Sequence, residues 1–299
     1  MPAGRRQPIV PPSNADPQLI GTAFDYLLRF YVERLNPGAI CSAWIAEKTV
    51  QQAEAALARG SSLPVQIGRC PNAHGKIVAV YGKDENPAGT LAKLRDALEA
   101  ARADYHAYVA GGPLTHKLLI SCCTLAKLDW AFRSGHGLPY DWCSPDGREL
   151  LELQELIGVV DPEIFTARTR CILNPRFRTD SILADADLLI DDRLIEIKVV
   201  SRHAQDQRDW DQLFGYYALH RIYGVEGVHR STRIRRLGIY SARFATYQEI
   251  HLIGKQAEKA EELSRWIAGR LESSQPQIGH SWVRRLGTTH WRRDDFNQG

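Results

Sequence analysis

The stretch Asp185-Ala-Asp187-Leu-Leu-Ile-Asp-Asp-Arg-Leu-Ile-Glu196-Ile-Lys198 decides how the chain is read. Two short apolar runs, Asp187–Ile190 and Leu194–Val200, are separated by Asp191-Asp192-Arg193, which predicts two strands joined by a tight hairpin. Alternate side chains of a strand share a face. Glu196 and Lys198 therefore point one way, and Ile195, Ile197 and Val199 the other. Asp185 and Asp187 stand at the start of the preceding strand, where the hairpin can bring them beside Glu196 and Lys198.

Outward from the hairpin, Thr169–Leu173 reads as a further strand, and a helix is predicted from about Arg208 to Tyr223, closed by Gly224. Arg233–Tyr240 and Tyr247–Ile253 read as two more strands, and Gln256–Glu272 as an amphipathic helix. Near the other end, Asp16-Pro17 is a helix start followed by Ile20, Phe24, Leu27, Leu28, Tyr31 and Leu35 at helical spacing, stopped by Asn36-Pro37-Gly38. Between about 40 and 160 the pattern is mostly helical, with segments at 42–58, Ala88–Val109, His116–Arg133 and Arg148–Ile157 and one short apolar run at Lys76–Tyr81. The order implies an α/β fold in which a mixed sheet is flanked by helices.

Carboxylates gathered on one patch repel one another unless a cation joins them. Mg²⁺ is held through one or two carboxylates together with water and substrate phosphate, and such an ion polarises a phosphodiester and activates a bound water. Asp185, Asp187 and Glu196 supply the carboxylates, and Lys198 a cation able to hold the water or offset charge at phosphorus. The chemistry this predicts is phosphodiester hydrolysis. The same composition also suits an ordinary hairpin with salt-bridged edges.

Asp187 followed by Glu196-Ile-Lys198 resembles the motif of the PD-(D/E)xK nuclease superfamily, an acid at the start of one strand and (D/E)-x-K on the next. Gln212-Leu-Phe-Gly-Tyr216 matches the Q-x-x-x-Y of its RecB-type, lambda-exonuclease-like branch, and Gly21-Thr22-Ala-Phe-Asp25 matches that branch's G-T-x-x-H with Asp in place of His. The resemblance implies a restriction-endonuclease-like core over 17–39 and 161–275, a mostly helical insertion over 40–160, and a basic tail over 276–299. It implies a Mg²⁺- or Mn²⁺-dependent deoxyribonuclease, with RNA as the alternative substrate. Asp187 and Glu196 would be metal ligands, joined by the Ile197 carbonyl and by Asp25 and Asp185. Lys198 would activate the water, while Gln212 and Tyr216 would orient the metal site or the DNA backbone. Defence against foreign DNA, mobile-element processing and repair are the settings this leaves open. A non-catalytic nucleic-acid-binding or scaffold subunit of a larger complex is the competing reading.

The chain has 299 residues with 38 basic and 35 acidic side chains, 44% hydrophobic and 24% charged. That excludes wholesale disorder, a fibre and a small disulfide scaffold. The net charge of +3 names no polyanion by itself. Basic residues nevertheless cluster: Arg168, Arg170, Arg176 and Arg178; Arg230, Arg233, Arg235 and Arg236; and Arg284, Arg285, Arg292 and Arg293 near Trp282 and Trp291. Of these, Arg176, Arg178, Arg230, Arg233, Arg235 and Arg236 are the candidate nucleic-acid contacts. The amphipathic helices of 40–160 could pack on the core, on a protein partner or on a second copy. No run approaches the roughly 18 apolar residues of a membrane span. With no export signal, the six cysteines are expected to be reduced and the protein cytoplasmic. Cys70-Pro-Asn-Ala-His74 lacks a companion pair for zinc. Iron–sulfur relatives of the branch carry three cysteines after Q-x-x-x-Y, whereas none here follows Cys171, so no cluster is expected. There is no phosphate-binding G-x-x-x-x-G-K-[ST] loop, so no nucleotide cofactor is expected.

Overall fold

A computed structural model describes residues 7–61, 63–71, 77–177, 184–201, 207–229 and 232–273. The chain divides into two compact units. One comprises Met1–Ile9, Leu35–Ser42 and the chain from Asp161 onward; the other comprises Val10–Arg34 and Ala43–Val160.

The first unit is built on a six-stranded sheet. Its strands are β1 (Ile40–Cys41), β4 (Cys171–Leu173), β5 (Leu188–Ile190), β6 (Arg193–Lys198), β7 (Arg236–Ser241) and β8 (Thr246–His251), in that spatial order. β1 runs parallel to β4 and β6 parallel to β7, while the remaining neighbours are antiparallel, so the sheet is mixed as expected. The parallel pair β6 and β7 is joined through helix α7 (Gln207–Tyr223), since parallel neighbours need a crossover. One core gathers Ile172, Leu189, Leu194, Leu237 and Ile239 of the strands under Trp210, Leu213, Phe214 and Tyr217 of α7 and Ala260 of α8 (Gly254–Ser273). The alternate positions, among them Leu188, Ile190, Ile195 and Tyr240, are buried as well, and Phe165 meets Tyr240 edge-on with ring centroids 5.0 Å apart. A sheet covered on both faces explains why these strands read as continuous apolar runs.

Asn36 ties the Leu35–Ser42 segment to this unit. Its amide donates to the Phe165 carbonyl at 2.9 Å and its carbonyl accepts the Ala167 N–H at 2.7 Å. The stop signal Asn36-Pro37-Gly38 is thus also a docking point that leads into β1.

The second unit holds α1 (Pro17–Leu35) up to Arg34, α2 (Ile45–Ala58), α3 (Pro87–Val109), α4 (His116–Ser134) and α5 (Gly147–Gly158). Asp16 caps α1 through the Gln18 N–H at 2.8 Å. Inside the unit the Tyr26 hydroxyl donates to Asp129 at 3.2 Å and accepts the Ala46 N–H at 3.3 Å, so α1, α2 and α4 meet on one buried phenol. Cys122 and Cys123 are fully buried on α4, as their apolar surroundings predict. Two features differ from the sequence expectation. The segment over 40–160 contains an antiparallel hairpin, β2 (Pro64–Pro71) and β3 (Ile77–Lys83), where a single short strand is expected. And α1, expected to belong to the core with 161–275, groups with the helices instead. No helix among the described residues is long and apolar enough to cross a membrane.

Candidate functional site

The β5–β6 hairpin pairs Ile190 with Arg193, Leu189 with Leu194 and Leu188 with Ile195. The next pair in that register is Asp187 opposite Glu196. Asp191 makes the turn in the left-handed region at φ 55°, a conformation Asp tolerates better than most residues. Its carboxylate accepts the N–H groups of Arg168, Thr169 and Arg170 and the Thr169 hydroxyl. Burial acts to raise its pKa, but these donors outweigh it and bring it down to about 2.

The start of β5 is fixed from its other side. The Asn174 N–H donates to the Asp187 carbonyl at 2.8 Å, the Ala186 N–H to the Pro175 carbonyl at 3.2 Å, and Arg176 forms an antiparallel bridge with Asp185. Ala186 is buried while Asp185 and Asp187 are half-buried, as alternation requires. The Asp187 carboxylate then accepts the Ile197 N–H at 2.6 Å, locking the entry of one strand onto the far end of the next.

On the α7 side of the sheet, the Lys198 ammonium donates to Glu196 Oε1 at 2.9 Å and to Gln212 Oε1 at 2.9 Å, and stands 3.6 Å from Asp209 Oδ1. The Gln212 amide donates to the Tyr216 hydroxyl at 2.8 Å. Tyr216 stacks on Phe177, centroids 5.7 Å apart and planes 21° from parallel. Glu196, Lys198, Gln212 and Tyr216 therefore form one continuous hydrogen-bonded chain from strand to helix. Burial pushes the Tyr216 phenol well up, and the negative charge of Glu196, Asp187 and Asp185 adds to the effect, while the Gln212 bond opposes it. All three carboxylates thus act on the same phenol. Burial disfavours the charge on Lys198, but Glu196, Asp209 and Asp187 more than compensate and raise its pKa.

The structure thus joins Glu196, Lys198, Gln212 and Tyr216 directly, sets Asp187 opposite Glu196, and adds Asp185 and Arg176 beside them. Among the described residues no group of three or more His, Cys, Asp or Glu side chains is placed to hold a metal ion. Asp25 lies in the helical unit, where its carboxylate pairs with Arg29 four residues on at 2.6 Å. Arg236 is engaged by Asp192 and, at 3.6 Å, by Glu249, at the end of β7 level with Arg193. That end lies roughly 16 Å along β6 from Lys198 at about 3.3 Å per residue. Arg233 and Arg235 are exposed just before β7. Arg178, Arg230 and the tail from 274 onward lie outside the described residues. The sequence reading missed Asp209. Its signal is its place three residues before Gln212, on the same helix face as Gln212 and Tyr216.

The arrangement is a patch of carboxylates with one ammonium, half-buried at the junction of β5, β6 and α7. Comparison with known proteins adds no name to it: no protein-family model matches the chain, and neither does any curated protein or solved structure.

Proposed function

We propose that the sheet unit is a restriction-endonuclease-like nuclease core that hydrolyses DNA phosphodiester bonds with Mg²⁺ or Mn²⁺. The observation that carries this reading is the hairpin register. It sets Asp187 across from Glu196, with Lys198 on the Glu196 face and tied through Gln212 to Tyr216. Two carboxylates are the size of protein donor set Mg²⁺ takes when water and phosphate complete its shell. Asp187, Glu196 and the Ile197 carbonyl would hold the ion, with Asp185 beside them. When bound, the ion would polarise the phosphodiester and make an attacking water available near neutral pH.

The remaining work falls to the chain's own groups. Lys198, held protonated by its carboxylate neighbours, offsets the negative charge that builds on the phosphoryl oxygens. Gln212 fixes the ammonium from the helix side, and Tyr216 fixes Gln212 in turn. Arg176, opposite Asp185 in a backbone bridge, would be the arginine to meet a phosphate next to the scissile one.

The test is incubation with linear, circular and single-stranded DNA and with RNA, each with Mg²⁺, Mn²⁺ or chelator. Metal-dependent cleavage is expected, lost in both Glu196→Gln and Lys198→Ala, with the circular dichroism of the folded protein retained. Cleavage by either variant at the wild-type rate would place the site elsewhere. One observation favours the competing reading of a non-catalytic nucleic-acid-binding or scaffold subunit. The Glu196 carboxylate is already paired with the Lys198 ammonium at 2.9 Å, so its charge is offset from within the chain. On that reading calorimetry finds no divalent-ion binding that depends on Glu196.

A further inference from the structure

We propose that Asp209 is a positioning residue for Lys198. The proposal rests on the nuclease reading for its consequence but not for its geometry. The ammonium donates two hydrogen bonds, to Glu196 Oε1 and Gln212 Oε1 at 2.9 Å each, and forms an ion pair with Asp209 Oδ1 at 3.6 Å. The Lys198, Asp209 and Glu196 side chains are only 16%, 15% and 7% exposed, so little water competes for the ammonium.

The three anchors differ in origin. Glu196 stands two residues from Lys198 on the same strand and is the group that must turn its oxygens to a cation. Asp209 and Gln212 are one helical turn apart on α7 and are not needed for that. Lysine carries a flexible four-carbon stem. With Glu196 engaged elsewhere, Gln212 alone would leave the ammonium held by one neutral acceptor. Among the described residues Asp209 supplies the second point, and with Glu196 turned away it is the remaining carboxylate in an ion pair with the ammonium. It lies in the first turn of α7, where the helix dipole favours a carboxylate. Asp209 thus keeps the ammonium in place on the helix side of the site while the strand side changes partner.

The experiment compares wild type, Asp209→Ala and Asp209→Asn, the last retaining an acceptor oxygen. The first readout is competitive acetylation of Lys198, quantified by peptide mass spectrometry, without and with Mg²⁺ alone. The second is kcat and KM on linear DNA. Asp209→Ala is expected to raise Lys198 labelling severalfold, with a larger increase when Mg²⁺ is present. It should lower kcat about ten- to a hundredfold, the scale of a small misplacement, with KM within about twofold. Asp209→Asn, which restores an oxygen without the charge, should recover only part of both effects. Unchanged Lys198 labelling in Asp209→Ala would overturn the proposal, as would equal losses in Ala and Asn. Should Asp209→Ala not fold, a fully wild-type Asn variant together with a wild-type Asp209→Ser variant would overturn it equally. A wild-type protein that cuts no nucleic acid would remove the nuclease reading, and the labelling would still decide the role of Asp209.

Discussion

Replacing Asp191 tests whether the hairpin turn sets the register on which the site depends. Its carboxylate receives three backbone N–H groups and one hydroxyl from residues 168–170, and its own N–H donates to the Arg170 carbonyl at 2.8 Å. A fall in pKa from 3.8 to about 2 would, at face value, be worth about 2.4 kcal/mol. Solvent screening at a part-exposed turn reduces that to about 1–1.5 kcal/mol. The sign follows from linkage: the folded pKa lies below the unfolded one, so the stabilisation is fully present above about pH 4 and is lost as pH falls through about 2. Asp191→Asn keeps the left-handed turn and one acceptor oxygen but loses the charge. It should therefore be less stable than wild type by about 1 kcal/mol at pH 7, and the gap should close as pH drops below 4. Asp191→Ala loses the acceptors and also strains the turn, so it should cost about 2 kcal/mol. Urea unfolding at a series of pH values measures both. A gap between wild type and Asn that stays constant from pH 7 to pH 3 would refute the reasoning.

A Cβ added at Gly238 would lie 2.2 Å from the Tyr247 hydroxyl and 2.5 Å from its ring, so Gly238→Ala should destabilise by about 1–3 kcal/mol in urea melts, and adding Tyr247→Ala should recover part of it. Asp187→Asn should cost more cleavage activity than Asp185→Asn, because Asp187 stands opposite Glu196 and closes on the Ile197 N–H; the reverse order in a rate comparison would reassign the ligand. Asp25→Ala should leave the Mg²⁺ dependence of cleavage unchanged and lower stability by about 1 kcal/mol, because it removes the carboxylate paired at 2.6 Å with the buried Arg29. A raised metal requirement in that variant would instead put Asp25 in the ligand set.

The helices were legible because each repeats its apolar positions over several turns, as α1 does from Ile20 to Leu35. Such a pattern says that a face is buried but not what buries it, so the grouping of α1 with the helices of 43–160 is not readable from it. The two residues of β1 are too few to carry any period. β2 hides for a different reason. It begins and ends in proline, contains Gly68, and slips register between Gln66 and Gly68, so its alternation is broken where it would be read. β3, with the unbroken run Ile77–Tyr81, was visible alone, and a strand without its partner does not announce a hairpin.

The site divides along the same line. Glu196 and Lys198 share a face by the period of a strand, and a two-residue loop fixes the rest. With Ile190 paired to Arg193, counting back three pairs puts Asp187 against Glu196. That register comes from the structure, because the sequence, read with Asp191-Asp192-Arg193 as the turn, leaves it open. Gln212 and Tyr216 follow from the four-residue return of a helix. Asp209 obeys the same rule, since at about 100° per residue the three positions fall within a 60° arc. A motif of two letters, Q and Y, singles out Gln212 and Tyr216 and carries no information about the rest of the helix face. What the sequence could not supply is the strand onto which that face turns. Only the packing of α7 over β6 brings Asp209 to Lys198, and that packing is set by Trp210, Leu213, Phe214 and Tyr217 against Leu194, Leu237 and Ile239. The apolar residues between the polar ones thus determine which ammonium the polar ones reach. A core change such as Leu213→Ala should accordingly disturb the labelling of Lys198 without touching any residue that contacts it.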